Sequence, residues 1–329
     1  MIVAHANHLV AAGHDVCIIT ARMDTVFIVD PRVSIKRLAS TTKLGTILSA
    51  LKTEDTFDLV VADIIVMACV LFLRNTNRVV YFAQDYDESY YSSLVVKLII
   101  RFIYGIGLVM FNIPVIAVSE RLAELLRKRF HARVTVAENG LDAFVFYPDA
   151  DPNLVSAKEN RKAVLLLARR DRRKGFDIAQ DVVKCLSGSD LGLFEVWTVG
   201  ESCTGLFPDY VHRDFDCLSE EILRRVFSSA DIFLYPTRHE GFGLMPLEAM
   251  KCGCAVVTTT AVPYVVHGEN ALVSQIGENE KLTDYLKELL ENDDFRSVLI
   301  EAGKKFAGKY SLAASTEKFE IALTRMSRR

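Results

Sequence analysis

Short apolar runs rich in Val, Ile, Leu and Phe alternate with helical stretches along most of the 329 residues, and this alternation restricts the fold more than any other feature. Strands separated by helices are joined by crossover connections, which place them side by side in parallel sheets with helices on both faces. In the first half the pattern predicts strands near 16–20, 58–62, 79–83, 114–118 and 134–137, and a helix over 121–129 behind the N-cap residue Ser119. The polar stretch Asp149-Ala-Asp-Pro-Asn153 interrupts the alternation before strand-like sequence restarts at 163–167. The second half then gives strands over 194–199, 231–235 and 255–258 and helices over 220–227, 280–291, 295–306 and 311–326. The reading is an α/β chain of two domains, 1–148 and 149–306, followed by a last helix within 307–329.

Half the residues are hydrophobic and a quarter charged, which excludes a disordered chain, and a net charge of −3 supplies no field for nucleic acid. Seven cysteines without a disulfide framework favour a reducing cytoplasm. Cys252-Gly-Cys254 has no second Cys or His pair at zinc spacing, so a helix ending at Gly253 between small buried thiols is preferred, and no metal site is read. The opening residues lack the basic and apolar regions of a secretory signal. The stretch 94–111 is the most apolar, but Lys97 and Arg101 interrupt it on one helical face. Two readings stand there: a core helix with one solvated stripe, or an amphipathic helix at a membrane interface.

The segment Arg238-His-Glu-Gly-Phe-Gly-Leu-Met-Pro-Leu-Glu248 follows the apolar run ending at Pro236 and opens a helix after Gly243. Unpaired backbone N–H groups and the positive end of a helix converge at such a junction, a setting that suits a phosphate. A carboxylate beside a phosphate is repelled, so Glu240 and Glu248 are better suited to sugar or ribose hydroxyls. For Glu240 an ordinary acid near a helix start explains the residue equally well. Glu248 lies among Leu244, Leu247, Ala249 and Met250, where an acid needs partners.

The pattern Glu-Gly-Phe-Gly-Leu-x-Pro-Leu-Glu-Ala-Met resembles the Glu-x7-Glu signature of the retaining glycosyltransferases of family 4 (glycosyl transferases group 1), and further segments match in order over nearly the whole chain. These are Gly13-His14-Asp15-Val16, Val118-Ser119-Glu120, Glu138-Asn-Gly-Leu-Asp142 with Phe146-Tyr-Pro148, and the basic stretch Ala168 to Gly175. The resemblance implies a GT-B fold, two Rossmann-like domains facing across a cleft, with the last helix crossing back to the first. It implies transfer of a sugar from a nucleotide diphosphate sugar, without a bound cofactor, to a hydroxyl of a glycan, lipid-linked or small-molecule acceptor in polysaccharide or glycoconjugate synthesis. Peripheral contact of the first domain with a membrane would fit such an acceptor.

By that resemblance Arg169 and Lys174 face the diphosphate, whereas Arg172 and Arg173 read as solvated loop. Glu240 holds the donor sugar and Glu248 the ribose; Gly241, Phe242, Gly243 and Leu244 form the turn against the donor. Gly200 and Glu201 resemble the glycine turn near it, and 212–215 the segment beside the base. Where relatives carry a histidine, this chain has Gln84 and Asp85. Asp85 either orients the acceptor hydroxyl as a base or caps a turn. Two departures from the family pattern stand out. The first domain lacks the opening strand and Gly-Gly loop, and Ala261-Val-Pro-Tyr264 replaces a Gly- and Glu-bearing loop. The first of these favours a second reading, a non-catalytic nucleotide-sugar-binding protein. An epimerase of the same fold is a third.

Overall fold

Most strands are short and apolar, helices separate most of them, and all the sheet pairings are parallel. The computed structural model describes residues 1–22, 28–51, 56–74, 78–186 and 194–327. Two compact units emerge: Met1–Gly140 joined by the stretch from Leu312 onward, and Leu141–Ser311.

In the first unit, helix α1 (Ile2–Ala11) leads into β1 (Cys17–Thr20), which pairs with β2 (Ser34–Arg37). The chain continues through α2 (Lys43–Leu51), β3 (Val60–Ala62), α3 (Ile65–Arg74), β4 (Val79–Ala83), α4 (Leu94–Tyr104), β5 (Val115–Ala117), α5 (Glu120–Phe130) and β6 (Val134–Val136). Strands β3, β4, β5 and β6 lie side by side in that order. Among the described residues β1 pairs only with β2 and β3 only with β4, so this unit holds two separate sheets. All five residues of β4 are buried, as a central parallel strand requires. The Tyr81 hydroxyl of β4 meets that of Tyr104 at 2.8 Å, which satisfies both buried groups. Ser119 caps α5 by accepting from Leu122 N at 3.2 Å, and Arg127, Lys128 and Arg129 occupy its last turn, where the helix dipole favours cations.

Helix α4 has one buried side and one solvated side, and the solvated side carries apolar residues as well as the cations. Its cation turns back onto the unit: Arg101 grips Glu88 through Nη2 at 2.6 Å and Nε at 3.1 Å. Ile100 and Tyr104 are buried, while Leu94, Leu98 and Phe102 stand in solvent. Arg101, itself exposed, pairs with the buried acid, and apolar side chains of the helix are left outside as well. A wide π turn, Gly105–Met110, follows α4. No helix among the described residues is long and apolar enough to cross a membrane.

The second unit runs through α6 (Pro152–Ala157), β7 (Lys162–Ala168), α7 (Phe176–Cys185), β8 (Phe194–Gly200), β9 (His212–Phe215), α8 (Glu220–Ser229), β10 (Ile232–Tyr235), α9 (Leu244–Cys252), β11 (Ala255–Thr259), β12 (Leu272–Ser274), α10 (Asn279–Glu291) and α11 (Asp293–Ala307). Its six strands lie in the order β12-β11-β10-β7-β8-β9. The chain therefore builds outward from β7 to β9 and returns to the other side of β7 with β10. That reversal makes the β7–β10 boundary the switch point at which open parallel sheets bind ligands. A core of Val164, Leu166, Val196, Ile232, Leu234 and Val257 from the sheet packs beneath α7, α10 and α11. Gly253, at φ +94°, ends α9, and Cys252 and Cys254 beside it are buried thiols. The last helix, α12 (Leu312–Ser327), belongs to the first unit, where Phe319 stacks on His5 of α1.

Candidate functional site

Two loops meet at the switch point, and their sequences explain why. The loop after β7 starts at Arg169 and forms a short 3-10 turn over Arg172–Lys174, capped by Asp171, whose Oδ1 accepts from Arg173 N at 3.0 Å. Gly175 closes it at φ +73°, and a Cβ there would lie 1.9 Å from Pro236 O. Only glycine permits so close an approach of the two backbones. The loop after β10 is then fastened across the gap. Arg173 O accepts from Arg238 N at 2.6 Å, and Thr237 Oγ1 lies 2.8 Å from it. The Arg238 guanidinium grips Asp177 at 2.7 and 2.8 Å, which holds the Asp177 carboxyl below its ordinary range.

This interlock brings Lys174 Nζ to Glu240 Oε1 at 2.8 Å. The same oxygen takes the Tyr235 hydroxyl at 2.5 Å and lies 3.0 Å from Thr237 Oγ1. Burial, and then the Glu240 charge, push the Tyr235 hydroxyl well above the usual phenol range, so it stays a donor. Lys174 and Glu240 thus form one cluster with a shared position.

Gly243, at φ +84°, opens α9, and its carbonyl accepts from the Tyr264 hydroxyl. Tyr264 packs on Phe242 at 5.1 Å and belongs to a cluster with Phe306 and Tyr310. Gly241, Phe242 and Gly243 are buried, with Leu244 partly so. The departure at 261–264 therefore carries a structural group, Tyr264, that steadies the glycine turn. Pro246 stands in the first turn of α9, where the missing N–H costs no helix bond.

Glu248 is half-buried and, among the described residues, takes no hydrogen bond. Burial, reinforced by the nearby Glu220 carboxylate, raises its pKa to about 8. At neutral pH it is a carboxylic acid with one O–H to donate and one carbonyl to accept, rather than the acceptor-only carboxylate of the sequence reading.

Arg169 is exposed at the end of β7 and, among the described residues, has no ion-pair partner. Glu201 holds Arg170 through its backbone N–H at 3.0 Å and its Nε at 2.9 Å, and it follows Gly200, whose φ is +120°. A Cβ at Gly200 would meet Ala168 O at 2.6 Å, so these two residues shape the β7 loop. Arg172 is solvated as read, but Arg173 is not: its guanidinium closes on Asp171 at 2.6 Å. In β9, Asp214 accepts from Cys203 N and Thr198 Oγ1 and Arg213 pairs with Glu195, so these side chains serve the sheet edge.

Asp85 belongs to the first unit, after β4, and its Oδ1 accepts from the next backbone N–H, Tyr86, at 2.7 Å, as a turn residue does. Beside it Asp87 is pushed up to about 6, by burial above all and by Asp85 and Asp63, while its Oδ2 still takes Ile65 N at 3.1 Å. The sequence reading missed Tyr235, Thr237, Arg238, Asp177 and Tyr264. Only the spacing of Tyr235 and Thr237 around Glu240 could have signalled the first two.

Residues 217–306 match the family model described as Glycosyl transferases group 1. The chain is 25% identical over 208 residues to an uncharacterized glycosyltransferase of Methanocaldococcus jannaschii, covering 60% of this chain and 55% of that protein. It therefore spans about half the length of that relative. In structure it is similar to a sucrose-phosphate synthase from Thermosynechococcus elongatus, with a TM-score of 0.81 and 18% identity over 98% of this chain and 91% of the other. It is also similar to Anabaena HepE, solved in complex with UDP and glucose, with a TM-score of 0.74 and 16% identity over 89% and 87% of the two chains. The segment that holds the Glu240–Glu248 motif thus matches the glycosyl transferases group 1 model, and the α/β architecture is that of the GT-B fold.

Proposed function

We propose that the second unit binds a nucleotide diphosphate sugar at the β7–β10 switch point and that the protein transfers the sugar to a hydroxyl with retention at the anomeric carbon. The observation that carries this reading is the Lys174–Glu240 contact, fixed by the Gly175–Pro236 approach beside the opening turn of α9. The arriving diphosphate takes Lys174 and Arg169 as cations and the N–H groups of the first turn of α9 as donors, beside the turn Gly241 to Leu244. Glu240, held by Tyr235, then receives sugar hydroxyls, and protonated Glu248 exchanges hydrogen bonds with the ribose.

In the transfer the bond from the anomeric carbon to the phosphate oxygen breaks and a bond to the acceptor oxygen forms on the same face. The acceptor proton passes to the departing phosphate, and the two cations neutralise the charge that develops there. The acceptor is a hydroxyl of a glycan or a lipid-linked sugar, with Asp85 of the first unit the candidate to orient it. No metal is assigned to the reaction, and the seven free thiols fit a reducing cytoplasm.

Calorimetric titration of UDP, GDP and dTDP tests the donor site. One nucleotide should bind, and Lys174→Ala and Glu248→Ala should each weaken it. A folded chain that binds none of the three overturns the donor assignment. Binding without turnover of any sugar of that nucleotide supports the non-catalytic reading instead.

A further inference from the structure

We propose that α4 and the π turn after it dock the first unit onto an anionic lipid surface, lying on the membrane rather than crossing it. Leu94, Leu98 and Phe102 follow one another at the spacing of a helical stripe, and their exposures are 75%, 60% and 70%. Met110 continues the stripe beyond the π turn at 74% exposure. Solvent-facing apolar side chains are ordinary singly, but a continuous stripe of this size marks a surface that is covered in use. The inward side is committed to the core by Ile100, Tyr104 and Leu108, so the stripe cannot turn over.

The charge around the stripe selects the occupant. Between Glu88 and Glu120 the sequence has no acidic residue, and it carries Lys97 and Arg101. Arg101 and Arg129 share the single carboxylate of Glu88, at 2.6 and 3.5 Å, which leaves one positive charge uncompensated there. Lys97 makes no ion pair among the described residues. A cationic rim on an apolar stripe matches lipid phosphates above acyl chains, with the lysine stem lying along the boundary. A second copy pairing through the same face would bring Lys97 against Lys97 or its neighbours, since a two-fold contact repeats one patch on both sides. At about 1.5 Å per residue the eleven residues of α4 extend roughly 16 Å, half of a bilayer core, so the helix lies in the interface. This assignment does not depend on the donor site.

The test is flotation of the full chain with vesicles of phosphatidylcholine alone and of phosphatidylcholine mixed with phosphatidylglycerol, at low and high salt. The chain should float with the mixed vesicles and release at high salt. Leu98→Ser with Phe102→Ser should weaken binding by roughly tenfold or more, and Lys97→Glu should weaken it at low salt and flatten its dependence on salt. Leu98 and Phe102 are exposed and Lys97 partly so, and unchanged thermal unfolding together with unchanged nucleotide titration verifies that the variants fold. Failure to bind mixed vesicles, or equal binding by the Leu98/Phe102 variant, overturns the proposal. So does a concentration-dependent dimer that this variant abolishes while vesicles are ignored, which would make the stripe a contact between copies. Loss of nucleotide binding with vesicle binding intact would count against the donor site alone.

Discussion

Replacing Glu248 by Gln removes an ionisation that the folded chain resists, and the pH dependence of stability should report it. The interval from the ordinary 4.5 to about 8 corresponds to about 5 kcal/mol, at roughly 1.4 kcal/mol per pH unit. The folded chain holds this proton more tightly than the unfolded chain does. The stabilisation of the protonated folded form is therefore fully present below 4.5 and is lost as pH rises through about 8. Linkage over about pH 5 to 7 gives a loss of about 2 kcal/mol once the partial solvent contact of the carboxyl is allowed for. Gln keeps the size and one donor but has no proton to lose. Urea unfolding of the wild type and Glu248→Gln at several pH values should show the variant gaining on the wild type as pH rises, by about 2 kcal/mol across that window. All other titrating groups are common to both chains and cancel in the difference. Parallel stability curves from about pH 5 to 8 would refute the claim that Glu248 is protonated at neutrality. A wild type that becomes relatively more stable with pH would show that a cation, not burial, governs the group.

Gly175→Ala must place a Cβ at 1.9 Å from Pro236 O in a left-handed backbone, so it should cost about 2–4 kcal/mol and abolish nucleotide binding, read by chemical unfolding and calorimetry. Arg238→Ala and Asp177→Ala should each weaken nucleotide binding without touching the ligand, and the double variant should lose little more than either. Additive losses in that double-mutant cycle would separate the ion pair from the loop interlock. With a thiol reagent, the exposed Cys185 and Cys217 should react promptly and Cys252 and Cys254 only on unfolding, since burial raises Cys252 to about 12 and Cys254 with it. Mass mapping of the labelled peptides checks this, and early labelling of Cys252 would contradict the packing at the end of α9.

The strands and helices of the second unit were legible because each carries its own signal. β10 is four apolar residues ended by Pro236, and α9 has a glycine at both ends. The weak strands β2, β9 and β12 gave no such signal. β2 is exposed throughout and β9 is half-buried, so neither shows an apolar run, and β12 has only three residues. In the site, the motif glycines and glutamates could be read, but the partners of Glu240 could not. Lys174 lies 66 residues away in sequence, and the contact depends on Gly175 admitting a carbonyl that no local pattern announces. The protonation of Glu248 is likewise a property of packing. In α4 the shared face of Lys97 and Arg101 was legible as solvated, but the pairing of Arg101 with Glu88, thirteen residues earlier, and the exposure of Leu94, Leu98 and Phe102 were not.

The first unit is discontinuous in the chain, and that sets an order of events during synthesis. His5 of α1 stacks on Phe319 at 4.0 Å, Phe82 of β4 meets the same ring at 5.0 Å, and His8 pairs with Glu320 at 2.8 Å. None of these contacts can form until α12 has left the ribosome. The second unit, by contrast, is one unbroken segment, Leu141–Ser311, emerging before that helix. The usual amino-to-carboxyl sequence of domain folding is thereby inverted for completion: the unit synthesised first is the last to close. In the interval His5 and Phe82 lack the Phe319 ring that covers them in the folded unit.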